Sequence, residues 1–375
     1  MFHPRHHAAL AAGSTHRLFL PSLDGARGLA VLFVLLDHFS SAKVIDAPAL
    51  NGLGHVGVYL FFSLSAFLLT LPFCLNKTEE LMSWQTWATY FSRRLLRIYP
   101  LYALLLLVKW GSTVLTSGHL AKPSEVFSLR SVGNHLLLRQ GDGVLWTMPV
   151  ETKYYLLLPL LVLLCILPAR RHLLFGILGA ALLARFVVPL FFFIETDLWA
   201  LDDHILKHYL LIFVLGSATA VIHSLTIEHP PSMRFGRYAF EFGALGVLVL
   251  LLCLFPPFSG LLPQALVAKV LNSKRVIAPF FGCLWGVFIY AHLHGQGWIK
   301  AVLEWRPLRY LGLISYSVYL WHKPVMAVIW FCHLHLPKSV HIMTEFGAIL
   351  AAGSLSFFLI ERPLSRLNAR FTRSL

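Results

Sequence analysis

Hydrophobic residues come in long blocks along this chain, with short polar stretches between them. A helix needs roughly 20 apolar residues to cross a bilayer. Ten segments meet that measure, at about 23–40, 55–75, 98–116, 147–167, 172–194, 205–223, 239–258, 277–294, 310–332 and 343–361. The alternating segments of a transmembrane β-barrel do not occur in the pattern. The sequence therefore predicts an all-α fold, a polytopic integral membrane helical bundle of about 10 transmembrane helices. The pattern is least regular in the eighth segment, rich in His and Gly, and across 259–276, where a re-entrant turn fits.

Composition agrees with the pattern. Apolar types make up 57% of the 375 residues, charged types only 13%, and mean hydropathy is +0.70. A soluble domain carries about 25% charged residues. The net charge of +14 would suggest nucleic acid in a soluble protein, but here the basic residues sit mainly in loops, so membrane topology explains them more simply. With the N-terminus inside, the inner segments hold 17 Lys and Arg and the outer loops 8, as positive-inside orientation requires. The acidic cluster Glu195, Asp197, Asp202 and Asp203 then falls outside. The expected organisation is a cytosolic tail over 1–22, a membrane domain over 23–366 and a second cytosolic tail over 367–375, with no soluble domain after the last helix. The start of the chain lacks the apolar core of a signal peptide. The five cysteines lie in or beside apolar blocks without metal-like spacing and read as small buried hydrophobes.

The first segment, LDGARGLAVLFVLLDHFS, carries Asp24, Arg27, Asp37 and His38. Arg27 and His38 are eleven residues apart, which puts them within about 20° of each other around a helix and about 16 Å apart along it. Asp24 lies about 60° from Arg27, and Asp37 points about 80–100° away. Ionisable groups at membrane depth are costly and face a bundle interior or a water-filled cavity. The stripe of Asp24, Arg27 and His38 therefore either clips helices together or lines a site.

Other polar positions recur at helical spacing. In FSRRLLRIYPLY, Arg94 and Arg97 share a face, with Arg93 one turn before Arg97. They either anchor the helix end at lipid phosphates or form a phosphate site, since guanidinium forks suit phosphate oxygens. Pro100 marks the expected entry into the bilayer. In LWTMPVETKYYLLLPLL, Glu151 sits inside the apolar region with Tyr154 and Tyr155 one turn on. A carboxylate there calls for an Arg, Lys or His partner, and His38 is expected at similar depth. Ser315, Tyr316, Tyr319 and His322 mark one further helix. Gly54, Gly57, Ser63, Ser65 and Ala66 suggest close helix packing. Glu361 and Arg362 read as an ion pair at a helix end. The sequence holds no HExxH, Walker A, GxSxG or dinucleotide signature.

Taken in order, these blocks resemble the membrane-bound acyltransferase-3 family, whose members O-acylate sugars and related molecules. The likeness runs from residue 23 to about 366. It rests on Arg27 and His38, on the small-residue block GHVGVYLFFSLSAFLLT, on Arg94 and Arg97, on Trp146 with Glu151, and on ISYSVYLWHKP and IERPLSRL. The chain departs from the family pattern at Tyr59, Ala66, Thr152 and Lys153. The resemblance implies transfer of an acyl group, most often acetyl, from coenzyme A to a hydroxyl of a carbohydrate or lipid-linked glycan. The donor acetyl-CoA would be a substrate, with no tightly bound cofactor and no metal. His38, Arg27 and Glu151 would be catalytic, His38 as general base with Glu151 orienting it or binding the sugar. Arg94, Arg97 and Arg93 would bind the donor, and Asp24, Tyr154, Tyr316 and His322 the substrate. The implied location is a bacterial inner membrane with both termini cytosolic, among membrane lipids. A transporter or flippase of a lipid-linked glycan or small metabolite is the alternative that buried charges also allow.

Overall fold

The computed structural model describes residues 20–76, 78–115, 127–166, 171–186, 206–228, 236–254, 274–295, 297–332 and 337–371. Among these residues the chain is helical, with no strand. The longer helices are α1 (Pro21–Ser41), α2 (Leu53–Leu75), α3 (Trp84–Leu115), α4 (Thr147–Leu161), α5 (Arg171–Phe186), α6 (Leu206–Glu228), α7 (Gly236–Cys253), α8 (Lys274–His294), α9 (Arg306–Leu313), α10 (Ser315–Phe331) and α11 (Lys338–Ser356). Each of the ten predicted segments meets a helix. The stretch 259–273, the acidic cluster and residues 1–19 of the N-terminal tail lie outside the described residues, while Pro21 and Ser22, expected in that tail, already belong to α1.

Five helical runs among the described residues are long and apolar enough to cross a membrane. They are Pro48–Leu75, Trp84–Leu115, Gly143–Leu164, His208–Ile227 and Lys338–Leu367. α1 is not one of them, in keeping with its four ionisable residues. The outward faces carry large apolar side chains such as Leu107, Leu115, Met343 and Leu355, as contact with lipid tails requires. Trp84, Trp298, Trp305 and Trp330 are exposed, and amphipathic rings of this kind favour the lipid–water boundary.

Two boundaries differ from the sequence reading. α3 begins at Trp84 rather than near residue 98 and runs for 32 residues, about 48 Å, against a hydrocarbon core of about 30 Å. Arg93, Arg94 and Arg97 therefore lie well inside a helix, and Pro100 is internal to it rather than at its mouth. The ninth segment is two helices, α9 and α10, divided at Ile314. Cysteine burial is also uneven: Cys74 is buried, but Cys332 is exposed.

α1 is held between α2 and α9, and small residues make that possible. A Cβ added at Gly312 of α9 would lie 1.7 Å from the backbone oxygen of Asp24 in α1. One added at Gly57 of α2 would lie 2.4 Å from the oxygen of Ala30. Both helices therefore touch α1 backbone to backbone, the close packing foreseen for α2. Asp37 serves the same contact: its Oδ1 accepts the backbone N–H of Gly52 at 2.6 Å. Gly52 precedes α2 with φ 93°, a left-handed conformation suited to glycine. Asp37 thus caps the start of α2 from the end of α1, satisfying a helix N–H that lacks an intrahelical acceptor.

Overpacking a close contact of this kind costs about 1–3 kcal/mol. Gly312→Ala is expected to lower the thermal unfolding temperature of the detergent-purified protein clearly. Gly111→Ala, where an added Cβ meets nothing within 4 Å, is expected to leave it unchanged or raise it.

Candidate active site

Five helices converge on a cavity of about 690 Å³, a volume that includes the solvent at its opening. Arg27 reaches it from α1, Ser65 from α2, Arg94 and Arg97 from α3, Glu151 and Tyr155 from α4, and Tyr316 and Tyr319 from α10. Apolar walls come from Val58, Phe62, Leu69, Ile98 and Met148. A second cavity of about 950 Å³, also counting open solvent, adjoins the first and shares Leu68, Leu69 and Arg94 with it. Arg93, Asn76, Gln85 and Thr86 line this outer chamber, beside the α2–α3 turn. Arg94 therefore stands where the two chambers meet.

The cavity is strongly cationic. Arg27 faces Arg97, Glu151 and Asp24 electrostatically, and Arg94 faces Arg97, Tyr155 and Glu151. The Nε of Arg94 is buried and meets no hydrogen-bond acceptor among the described residues. A guanidinium in that state is suited to an anion with several oxygens, which it can hold through two parallel bonds. Glu361 joins the cluster from the π-helical turn Phe357–Glu361 that continues α11. It accepts from Ser317 and faces Arg97 and Arg27. The expected Glu361–Arg362 ion pair is thus replaced, because Glu361 turns inward while Arg362 lies 5.4 Å over the Phe358 ring.

Glu151 is not where pairing with His38 would put it. Its Oε1 accepts the hydroxyl of Ser65 at 2.5 Å and the hydroxyl of Tyr155. The carboxylate belongs to the arginine end of the site, so its expected role of orienting His38 is corrected. Tyr155 lies four residues after Glu151 and shares its face. Tyr154, expected to bind substrate, points elsewhere. It is fully buried, stacks on Phe213 at 4.3 Å between ring centres and shares a 2.6 Å hydrogen bond with Ser217. Nothing at the sequence level separated the adjacent tyrosines, since both fall within a turn of Glu151. Ser65, which the sequence pattern assigns to close packing, supplies a hydrogen bond to Glu151 as well.

His38 lies off the cavity wall, towards the opposite end of α1. Its ring stacks on His322, with centres 5.0 Å apart and planes 23° apart. His322 is fully buried, so it backs His38 rather than lining the cavity. Tyr319, 5.7 Å from His322 between ring centres, lines the cavity and connects the two regions. Its hydroxyl donates to the carbonyl of Val144 at 2.7 Å and accepts from Thr147 at 3.2 Å. Tyr316 lines the cavity and ties α10 to α3 by donating to the carbonyl of Ile98 at 2.8 Å. Asp24 is half-buried among Arg27, Arg309 and Arg97, outside the cavity lining. It balances the guanidiniums from behind.

Comparison with known proteins identifies the family. The sequence model of a protein family described as "Acyltransferase domain" matches residues 20–361. The chain is 24% identical over 373 residues to the peptidoglycan O-acetyltransferase OatA of Listeria monocytogenes, a match covering 93% of this chain and 56% of that protein. It is 24% identical over 378 residues to "Putative peptidoglycan O-acetyltransferase YrhL" of Bacillus subtilis, covering 93% and 55%. The chain therefore spans little more than half the length of these relatives. No solved structure matches it.

A charge-assisted hydrogen bond contributes about 1.5–3 kcal/mol, so the arginine cluster is expected to bind a small polyanion. Titration of the purified protein with inorganic pyrophosphate should show binding that weakens about tenfold or more in Arg94→Ala and in Arg97→Ala. Tyr154→Phe should lower thermal stability, through loss of the Ser217 bond, and leave that binding unchanged.

Proposed function

The chain belongs to the acyltransferase domain family, and from that premise we propose that it moves an acetyl group from acetyl-CoA to a hydroxyl of a cell-surface carbohydrate. The observation that carries this reading is the two-chambered cavity, with Arg94 between its chambers and Arg27, Arg97 and Glu151 within. Coenzyme A brings phosphates at one end and a thioester at the other. Arg93 and Arg94 would meet the phosphates in the outer chamber. The pantetheine arm and acyl group would extend past Leu68 and Leu69 into the apolar inner chamber. Arg27 and Arg97 would hold the donor arm electrostatically, so that the thioester reaches past them along α1 towards His38. Ser65 and Tyr155 would hold Glu151 in place, and Glu151 would hold the arginines.

His38 would act as general base on the acceptor hydroxyl. The acceptor oxygen forms a bond to the acyl carbon while the carbon–sulfur bond breaks, and the thiolate leaves with the electron pair. The hydroxyl proton passes to His38 and then to sulfur or water. Loop charge supports an orientation with the arginine chamber at the cytosolic side, where acyl-CoA is made, and His38 towards the outer side, where a glycan would be presented. The named relatives, peptidoglycan O-acetyltransferases, support a glycan acceptor of that kind. The protein would then work in a bacterial inner membrane, with acyl-CoA and glycan as substrates.

Incubating radiolabelled acetyl-CoA with membranes that contain the chain tests this. Label should enter surface glycan with the wild type. His38→Ala should lower transfer by about 10²–10⁴, the usual contribution of a positioned base. Arg94→Ala should act chiefly by raising the KM for acetyl-CoA. Normally inserted His38→Ala and Arg27→Ala proteins with full transfer would defeat the mechanism. Absence of both acetyl-CoA binding and label would favour the transporter alternative.

A further inference from the structure

A histidine base works best when its second ring nitrogen is held by a partner that fixes the tautomer and the ring orientation. With Glu151 engaged by Ser65 and Tyr155, that place beside His38 has to be filled by something else. Asp37 is the adjacent carboxylate, and it is committed to the Gly52 N–H. The ionisable groups acting on His38 among the described residues are His322, Lys323 and His55, and all three are basic. Of these, His322 is the ring in contact.

The hydrogen bonding of His322 is informative. Its Nδ1 is 2.6 Å from the carbonyl oxygen of Tyr319. A carbonyl oxygen only accepts, so Nδ1 carries the proton. In the neutral ring Nε2 is then a bare acceptor. That atom is buried and meets no donor among the described residues. A buried acceptor without a donor is an exception that calls for an explanation, and the nearest ring is the imidazole proposed to act as base.

We propose that His322 is the positioning residue for His38. Its Nε2 accepts the N–H that His38 carries on the nitrogen turned away from the acceptor, which leaves the other His38 nitrogen bare to take the hydroxyl proton. Because the Nε2 lone pair lies in the plane of the His322 ring, this contact requires the His38 side chain to leave the stacked resting arrangement and approach the edge of the His322 ring. Catalytic hydrogen bonds are often long or misaligned without substrate and tighten when it binds. The Tyr319 carbonyl holds His322, and His322 holds His38. His322 takes up no proton at any stage. Because Tyr319 also lines the cavity, the same element that seats the donor sets the orientation of the base.

This inference rests on the reading of His38 as base in the preceding subsection, and two measurements keep the failures apart. The first is acetyl transfer by His322→Leu, which keeps an apolar side chain in the space and removes the acceptor, and by His322→Gln, which offers an acceptor oxygen at similar reach. His322→Leu should lower kcat by about a hundredfold, with little change in the KM for acetyl-CoA. His322→Gln should recover about tenfold of that loss. Unchanged kcat in His322→Leu overturns the proposal. So does a loss shared equally between kcat and KM that His322→Gln does not relieve, because that is the mark of a packing role alone. The second is the ring 15N spectrum of histidine-labelled wild-type protein, with His322 assigned by the signal missing from His322→Gln. A protonated Nδ1 and bare Nε2 are expected. The opposite tautomer overturns the proposal even if His322→Leu fails to fold. A wild type that transfers no acetyl group overturns the parent reading, while the tautomer still decides whether His322 can accept from His38.

Discussion

A guanidinium at membrane depth has no water to solvate it and must find polar company within the protein. Arg27 imposes that condition on the whole arrangement. It stands on α1, and the carboxylates that compensate it come from α4 and the turn after α11, through Glu151 and Glu361, while Arg97 of α3 adds a second positive charge beside it. Asp24 adds to them from α1 itself. These helices are far apart in sequence, so the charge is satisfied only when the bundle is assembled. The cavity lining itself holds three guanidiniums, of Arg27, Arg94 and Arg97, against the one carboxylate of Glu151, which leaves capacity for an anion from outside.

Close packing makes that assembly possible. α9 and α2 approach α1 until backbones touch, at Gly312 against Asp24 and at Gly57 against Ala30. Between lipid-exposed helices there is little hydrophobic drive, so close van der Waals contact and buried polar bonds carry the association. Asp37 shows both at once, closing the α1–α2 turn while securing an N–H at the start of α2. The consequence for chemistry is rigidity: Arg27 and His38 sit on one clamped helix, about 16 Å apart along its axis.

That separation divides the labour. The arginine chamber combines guanidiniums with apolar walls, a combination suited to an anion with an apolar arm, and the His38–His322 pair lies beyond Tyr319. Tyr319 belongs to both regions, lining the cavity and contacting His322. A donor entering on one side and an acceptor arriving on the other would meet along α1, which gives a physical meaning to a polar stripe that crosses an otherwise apolar helix.

The sequence by itself determined the helical class, the positions of the ten apolar segments, the polar stripe of α1 and the small residues of α2. Each follows from a local rule, the length of an apolar block or the 100° turn per residue. It also brought Arg27, Arg94, Arg97, Glu151 and Tyr316 forward as candidates, since polar side chains in apolar blocks stand out. Which of them meet was decided only by the tertiary structure. Glu151 joined Ser65 and Tyr155 instead of His38, Tyr154 turned to Ser217, and Glu361 turned to Ser317. Such choices depend on the rotation and depth of one helix relative to another, and a shift of one residue turns a helix face by about 100°. Helix rotation and depth are fixed by packing between distant segments, and no local pattern along the chain encodes them.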